Sequence, residues 1–228
     1  MEFSVKQIAH IENDFPSKFG IPRQSGLVNG MVSKIVFEPE YRNAEALRGI
    51  EGYSYLWLIW QFSEAVRDTW SPTVRPPRLG GNKRVGVFAT RSPFRPNNLG
   101  LSSVKLVSVT DTSDKGKVLL VTGADLMNGT PIFDVKPYIA YTDSHPEAVS
   151  GFADEFVGYA LTLDFSDELL SRIDENDRTP LCEVLKNDPR PSYQHDAERV
   201  YTMDYGKYAV SFRVDGETLV VTQVTTRQ

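Results

Sequence analysis

Strand-like runs dominate the first two thirds of the chain. Val, Ile, Tyr, Trp and Phe recur in Lys34–Glu38, Tyr53–Phe62, Val85–Thr90, Leu101–Thr110, Lys117–Thr122 and Pro131–Tyr138, punctuated by Gly, Pro and Asn, which predicts β-strands. Only Asn43–Gly49 and Ser63–Asp68 have a helical pattern. Strands that follow one another with so few helices between them predict an antiparallel barrel or sandwich and argue against a βαβ sheet.

Beyond Asp143-Ser-His-Pro146-Glu, a connector by its turn residues, the pattern changes. Phe156 to Asp164 alternates as a strand, and Ser166, Asp167 and Glu168 open a helix carrying Leu169, Leu170 and Ile173. A second helix is predicted from Thr179 as N-cap and Pro180 in the first turn, with Leu181, Val184 and Leu185 on one face and Asp188-Pro189 as its stop. Around Asp215-Gly216 the chain predicts a β-hairpin, with Tyr208, Val210, Phe212 and Val214 on one face. The expected architecture is a mainly β N-terminal barrel domain, residues 1–142, followed by a small α+β C-terminal domain, residues 143–228.

Charge supports that division. Residues 1–142 carry 17 basic and 13 acidic side chains, a net of +4, and residues 143–228 carry 8 and 17, a net of −9, which together give the chain's −5. A hydrophobic fraction of 40% and a charged fraction of 24% are those of an ordinary soluble protein. No apolar run approaches the roughly 20 residues that span a bilayer, and the N-terminus lacks a signal pattern, so no membrane is expected and the location expected is cytoplasmic. The single cysteine, Cys182, excludes an internal disulfide and reads as a buried thiol more than as a nucleophile. His10, His145 and His195 are far apart and lack metal-ligand spacing, so no metal is expected.

The 42 residues from Thr69 to Thr110 hold seven Lys or Arg and no Asp or Glu. Within them lie Arg75-Pro-Pro-Arg-Leu-Gly-Gly-Asn-Lys-Arg84 and Thr90-Arg-Ser-Pro-Phe-Arg-Pro-Asn-Asn-Leu-Gly100, cations set among residues that stiffen or turn the backbone. This reads as an anion site, with phosphate or nucleic acid as partner, against the plainer reading of a solvated face. Arg75, Arg78, Lys83, Arg84 and Arg95 suit an RNA backbone, although Arg95 equally suits pinning its own loop. Phe94 or Tyr138 could stack a splayed base. Trp57, Trp60 and Trp70 read as core residues, Trp57 in the barrel wall. Neither a strand leading into Gly-x-Gly-x-x-Gly nor a Gly-x4-Gly-Lys-Ser/Thr loop is present, so a nucleoside cofactor must bind outside the usual doubly wound sheets. Composition and spacing alone reach an anion-binding β-domain plus an α+β domain.

One ordered motif series goes further. Pro22-Arg-Gln24, Arg75-Pro-Pro-Arg-Leu-Gly-Gly-Asn82, Gly86-Val-Phe-Ala-Thr-Arg-Ser92, Arg95-Pro-Asn-Asn-Leu-Gly-Leu101, Asp125-Leu-Met-Asn-Gly-Thr-Pro131, Asp134-Val-Lys-Pro-Tyr138 and Asp188-Pro-Arg-Pro-Ser-Tyr193 run through residues 5–225. In this series the chain resembles the TsaA-like family, and within it the bacterial tRNA threonylcarbamoyl-adenosine methyltransferases. The resemblance implies S-adenosylmethionine as cofactor, held in the barrel domain, and methylation of the N6 nitrogen of threonylcarbamoyl-adenosine at position 37 of tRNA. It also implies a homodimer that helps complete the site. By motif, the cofactor contacts implied are Arg23, Gln24, Ser25, Arg91, Leu101, Asp125, Leu126, Met127 and Asn128. Ser63 and Glu64 stand where the family pattern has a further cofactor contact, often with a histidine.

In those roles Arg91 or Arg23 would meet a carboxylate with two parallel hydrogen bonds. Backbone groups from Asp125 to Asn128 would meet the adenine edge, with Leu126 and Met127 over its face. Asp125 has an alternative as a turn residue fixing Asn128-Gly129. Asp134, Lys136 and Tyr138 share one face of a strand, which makes Asp134 and Tyr138 candidates for catalysis on the acceptor side. An ion pair with a hydroxyl cap on the barrel's outer face is the alternative. Arg190, Pro191 and Tyr193 form a basic, aromatic loop that the resemblance brings near the active site or the partner subunit. Two further readings of function stand beside the tRNA methyltransferase: a non-catalytic tRNA-binding module, and a methyltransferase of the same fold acting on a small metabolite.

Overall fold

A computed structural model describes residues 2–191, 194 and 196–227; Tyr193 of the basic loop, and His195, lie outside the described residues. Strands β1 (Ala9–Glu12), β2 (Val32–Phe37), β3 (Tyr55–Gln61), β4 (Thr73–Val74), β5 (Val85–Gly86), β6 (Leu99–Thr112), β7 (Gly116–Thr122) and β8 (Pro131–Pro137) make up the N-terminal part. Six of them form a closed barrel in the order β1-β2-β7-β6-β3-β8, antiparallel throughout, with β8 returning to β1 at Ile132 and Ala9. Closure removes the free edges that an open sheet would present.

Alternation along β3 sets the barrel's inside. Leu56, Leu58 and Trp60 are buried, while Tyr55, Trp57 and Ile59 face outward. The tryptophan expected in the wall, Trp57, therefore lies on the outer face, where its indole N–H donates to Asp143 at 2.9 Å. Trp60 takes the core position, and its ring lies over Gly100 so closely that a Cβ there would sit 2.2 Å from it. The strand expected over Val85–Thr90 pairs only at Val85 and Gly86. Val87–Ala89 coils instead into a 3-10 turn, closed by the Thr90 N–H donating to the Val87 carbonyl.

The C-terminal part holds α1 (Ala140–Asp143), β9 (Thr162–Asp164), α2 (Asp167–Leu170), α3 (Glu175–Lys186), β10 (Tyr201–Tyr205), β11 (Tyr208–Asp215) and β12 (Thr218–Thr226). The sheet order is β10-β11-β12-β9, with β9 parallel to β12 and the rest antiparallel. Of the strand expected over Phe156–Asp164 only the last three residues pair, since Gly151–Phe156 is a 3-10 turn and Gly158 turns the chain at φ 76°. Helix α3 begins one turn before the expected cap at Thr179. Glu175 and Asp177 favour the positive end of its dipole, and Asp177 N–H donates to the Asp174 carbonyl, which leaves Pro180 inside the helix. It ends at Lys186 with Asn187 as its cap, and Asp188, at φ 52°, turns the chain in the left-handed region before Pro189.

Two cores result. Ile11, Ile35, Leu56, Leu58, Leu119, Val121 and Ile132 fill the barrel. Tyr208, Val210, Phe212 and Val214 of β11 pack on Leu181, Val184 and Leu185 of α3, and this second core also takes Phe15, Val28 and Met31 from the β1–β2 connection. Among the described residues no helix is long and apolar enough to cross a membrane.

The Gly100–Trp60 contact can be tested directly. Gly100→Ala is expected to cost about 1–3 kcal/mol by forcing the Trp60 ring to move. Gly52→Ala, where an added Cβ meets nothing within 4 Å, is expected to stay within about 0.5 kcal/mol of the parent. Urea denaturation midpoints of the two variants check both.

Candidate active site

Three loops meet at one mouth of the barrel. The β1–β2 connection brings Gln24 and Ser25, the segment before β6 brings Arg91, and the β7–β8 connection brings Asp125. Gly26 N–H donates to the Gly123 carbonyl at 2.8 Å, and a Cβ on Gly123 would come 3.3 Å from Gly26, so two bare backbones touch here. Arg91 donates through Nη1 to Gln24 Oε1.

Asp125 is the most constrained group of the mouth. The buried Trp60 indole donates to Ser102 Oγ at 2.9 Å, and Ser102 donates in turn to Asp125 Oδ1 at 2.5 Å. Burial pushes the Asp125 carboxyl above its ordinary value, opposed by the Ser102 hydroxyl, the Ser25 backbone N–H and the Arg91 charge. A carboxylate kept partly out of water beside one guanidinium can accept from a further donor or face a cation. Ser102 was not among the expected site residues. The signal for it is small: in β6, Gly100, Ser102 and Val104 are buried, and the hydroxyl alone among them needs a partner.

The other expected cofactor contacts fall differently. Leu126 is fully buried in the barrel core and covers no open face, because β7–β8 turns its side chain inward; its carbonyl accepts from Asn13 Nδ2 at 2.8 Å. Asn128 is tied to the same Asn13, whose backbone N–H donates to Asn128 Oδ1 at 3.0 Å. Met127 lies half-buried between them. Arg23 points away from Arg91 and donates to the carbonyls of Asp188 and Arg190, at 3.2 and 2.6 Å. Burial, then the nearby Arg78, lowers its pKa. Leu101 is 58% exposed on the side of β6 opposite to Ser102. Ser63 and Glu64 form an exposed turn, where Lys18 donates to the Glu64 carbonyl at 2.6 Å.

The acceptor-side candidates lie on the outer wall. Asp134 sits opposite Ile59, and its Oδ2 is 2.8 Å from Lys136 Nζ. The Tyr138 ring packs against Trp57 and Tyr55, with centroids 5.4 and 6.1 Å apart. Asp134 and Lys136 thus form an ion pair on the outer wall, and Ile59 lies between Asp134 and Leu101.

The cations divide as well. Arg95 donates to the carbonyls of Thr90 and Ser92, at 2.9 and 3.4 Å, and so pins its loop. Arg78 lies over Phe156 at 4.8 Å. Arg75, Lys83 and Arg84 are exposed and form no ion pair among the described residues. Arg190 is buried against Asp188, with Nε 2.9 Å from Oδ1, and Tyr159 O–H donates to the other carboxylate oxygen at 3.0 Å. Burial alone would raise the Asp188 carboxyl, but Arg190 and Tyr159 outweigh it and hold it low. A cavity of 390 Å³ opens beside this cluster, lined by Lys18, Ile21, Arg23, Asn187 and Pro189 among others. Cys182 is half-buried with its thiol pushed up, unlike an activated nucleophile. No group of three or more metal-ligating side chains occurs among the described residues.

Comparison with known proteins agrees with this two-part organisation. Residues 10–144 match the tRNA-methyltransferase O N-terminal domain and residues 159–227 the TrmO C-terminal domain. The tRNA (adenine(37)-N6)-methyltransferase of Escherichia coli K12 is 38% identical over 221 residues, 93% of each chain. The protein of the same name from Eikenella corrodens is 41% identical over 72% of this chain and 92% of its own. A crystal structure of TrmO from Pseudomonas aeruginosa superposes with a TM-score of 0.75 at 29% identity, covering 99% of this chain and 100% of that one. With both domains matched in order, this chain belongs to the tRNA-methyltransferase O family.

Proposed function

We propose that this chain transfers a methyl group from S-adenosylmethionine to the N6 nitrogen of threonylcarbamoyl-adenosine at position 37 of tRNA, beside the anticodon. The observation that carries the reading is the meeting of Arg91, Gln24, Ser25 and Asp125 at one barrel mouth, in a chain that belongs to the tRNA-methyltransferase O family. The donor set fits the cofactor. Arg91 suits its carboxylate, and Asp125, with Ser102 on only one oxygen, suits an amino or hydroxyl donor. S-adenosylmethionine supplies, when bound, an electrophilic methyl group on a sulfonium.

The acceptor nitrogen lies between an adenine ring and a carbamoyl group. Both withdraw electron density, so it is a poor nucleophile until it loses its proton, and that proton is acidic for an amine. A weak base beside it is therefore sufficient. In this reading Asp134, paired with Lys136, takes the proton, and Tyr138 on the same side of the barrel steadies the acceptor. Arg75, Lys83 and Arg84 face the tRNA backbone, and Arg78 is held over Phe156. Residues 1–142 act as the cofactor-binding domain and residues 143–228 as its brace. A homodimer and a cytoplasmic location belong to the same reading; the exposed Tyr55, Leu99, Leu101 and Val107 on the outer faces of β3 and β6 support pairing with a second copy.

Labelled methyl from S-adenosylmethionine is expected to enter tRNA from cells that make threonylcarbamoyl-adenosine, and not tRNA from cells that cannot. Label in neither would overturn the reading. Arg91→Ala is expected to weaken cofactor binding roughly 10- to 150-fold, as loss of a charged hydrogen bond does, with tRNA affinity retained; calorimetric titration and filter binding separate the two.

Asp125→Asn carries a second, pH-dependent expectation. A carboxyl whose pKa is raised on folding adds stability in acid and loses it as pH rises through the folded value. Asn is neutral throughout. The variant should melt with the parent in acid, melt higher than it towards neutral pH, and bind cofactor at least about tenfold more weakly. Thermal melts from pH 4 to 8 read the first effect, and a lower melting point at neutral pH would refute it.

A further inference from the structure

The acid-free window folds into a hairpin that leaves an aromatic pair in water. β4 and β5 pair Thr73 with Gly86 and Val74 with Val85, and Val87 N–H donates to the Pro72 carbonyl at 3.0 Å. Trp70, just before β4, and Phe88, just after β5, are thereby brought together, with ring centroids 6.1 Å apart and planes tilted by 31°. Trp70 is 51% exposed and Phe88 72%. The core position expected for Trp70 is thus overturned, because the hairpin's base lies outside both cores. Two large rings left open side by side mark a contact surface more than a packing remnant.

The surroundings identify the partner. The hairpin between the rings carries Arg75, Lys83 and Arg84, and the whole span from Thr69 to Thr110 has no carboxylate. Arg84 donates only weakly, to Thr73 Oγ1 at 3.4 Å. The other aromatic candidates are occupied: the Arg67 guanidinium covers Phe94 at 3.6 Å, and Tyr138 packs against Trp57 and Tyr55. We infer that Trp70 and Phe88 form a stacking platform for one unpaired base of the tRNA anticodon loop, with Arg75, Lys83 and Arg84 on the flanking phosphates. Every base has a π-face to lay on such a pair, and the phosphates of a polyanion suit the cations of the same hairpin. The inference rests on the tRNA reading above and deepens it, since a loop held by one stacked base presents its neighbours in a fixed direction.

The test uses the full chain and a tRNA carrying 2-aminopurine in the anticodon loop. Trp70→Ala/Phe88→Ala is expected to bind this tRNA roughly 5- to 150-fold more weakly and to raise KM for tRNA. It should also lose the fluorescence quenching while keeping cofactor affinity, melting temperature and the slope of log Kd against log salt. Arg84→Ala is expected instead to reduce that slope by about one phosphate contact. Trp70→Phe/Phe88→Tyr should restore quenching. The platform is overturned if an active parent and the double alanine variant share KM and quenching. It is also overturned if sedimentation finds that the variant has lost a subunit contact, which would assign the pair to a protein interface. A parent that quenches and binds but transfers no methyl removes the methyltransferase reading and leaves the platform in place.

Discussion

The connection between β1 and β2, residues 13–31, is held at both ends by different parts of the molecule, and the barrel mouth depends on that. Phe15, Val28 and Met31 are buried in the second core, and Glu183 of α3 accepts from the backbone N–H groups of Asn29 and Gly30 at 2.8 and 3.0 Å. Asn13 anchors the start of the connection to Leu126 and Asn128, and Gly26 anchors its middle to Gly123. Gly20, at φ 100°, passes so close to Met203 that a Cβ would come 2.4 Å from its sulfur. Gln24 and Ser25 are the stretch left between these anchors. Their position is therefore set by the packing of the C-terminal sheet as much as by the barrel.

Trp60, Ser102 and Asp125 form a chain of hydrogen bonds from a core indole to a half-buried carboxylate at the mouth. Each link satisfies a polar atom that would otherwise be costly to bury. A side chain at Gly100 would collide with the indole ring, so a glycine near the start of β6 is part of how a carboxylate is held partly out of water. Raising the Asp125 carboxyl in this way works against stability near neutral pH. Groups held in such a costly state cluster at clefts that bind ligands.

The strands were legible because a closed barrel buries one face of each, which leaves a period of two in the chain. The face shared by Tyr208, Val210, Phe212 and Val214, and the stop at Asp188-Pro189, were legible for equally local reasons. β1 was not, since Ala-His-Ile-Glu is four residues long and half polar, and only its neighbours β2 and β8 make it a strand. The three tryptophans mark the limit sharply. Trp57, Trp60 and Trp70 look alike as residue types, yet one lies on the outer wall, one in the core and one in water. Strand parity separates the first two, and a hairpin two residues wide decides the third. Of the cofactor contacts expected by motif, Gln24, Ser25, Arg91 and Asp125 come together in the fold. The turning of Arg23 towards Asp188 and Arg190, and the Ser102 link, depend on contacts between segments far apart in the chain, which leave no periodic trace.

Counting basic residues overstates the surface open to RNA. Arg23, Arg95 and Arg190 are committed to backbone carbonyls or a buried carboxylate, and Arg78 lies over Phe156. These guanidiniums act through short, directional hydrogen bonds or ring contacts, and the buried ones are little affected by dissolved ions. Arg75, Lys83 and Arg84 act through an open field that falls within a Debye length, about 8 Å at physiological salt. Two populations of cation therefore serve two tasks, and the acid-free window holds members of both: one fixes loops against each other, the other attracts a polyanion. Salt acts on the second alone, so capture of the substrate and the geometry of the mouth are separately controlled although their residues alternate along the chain.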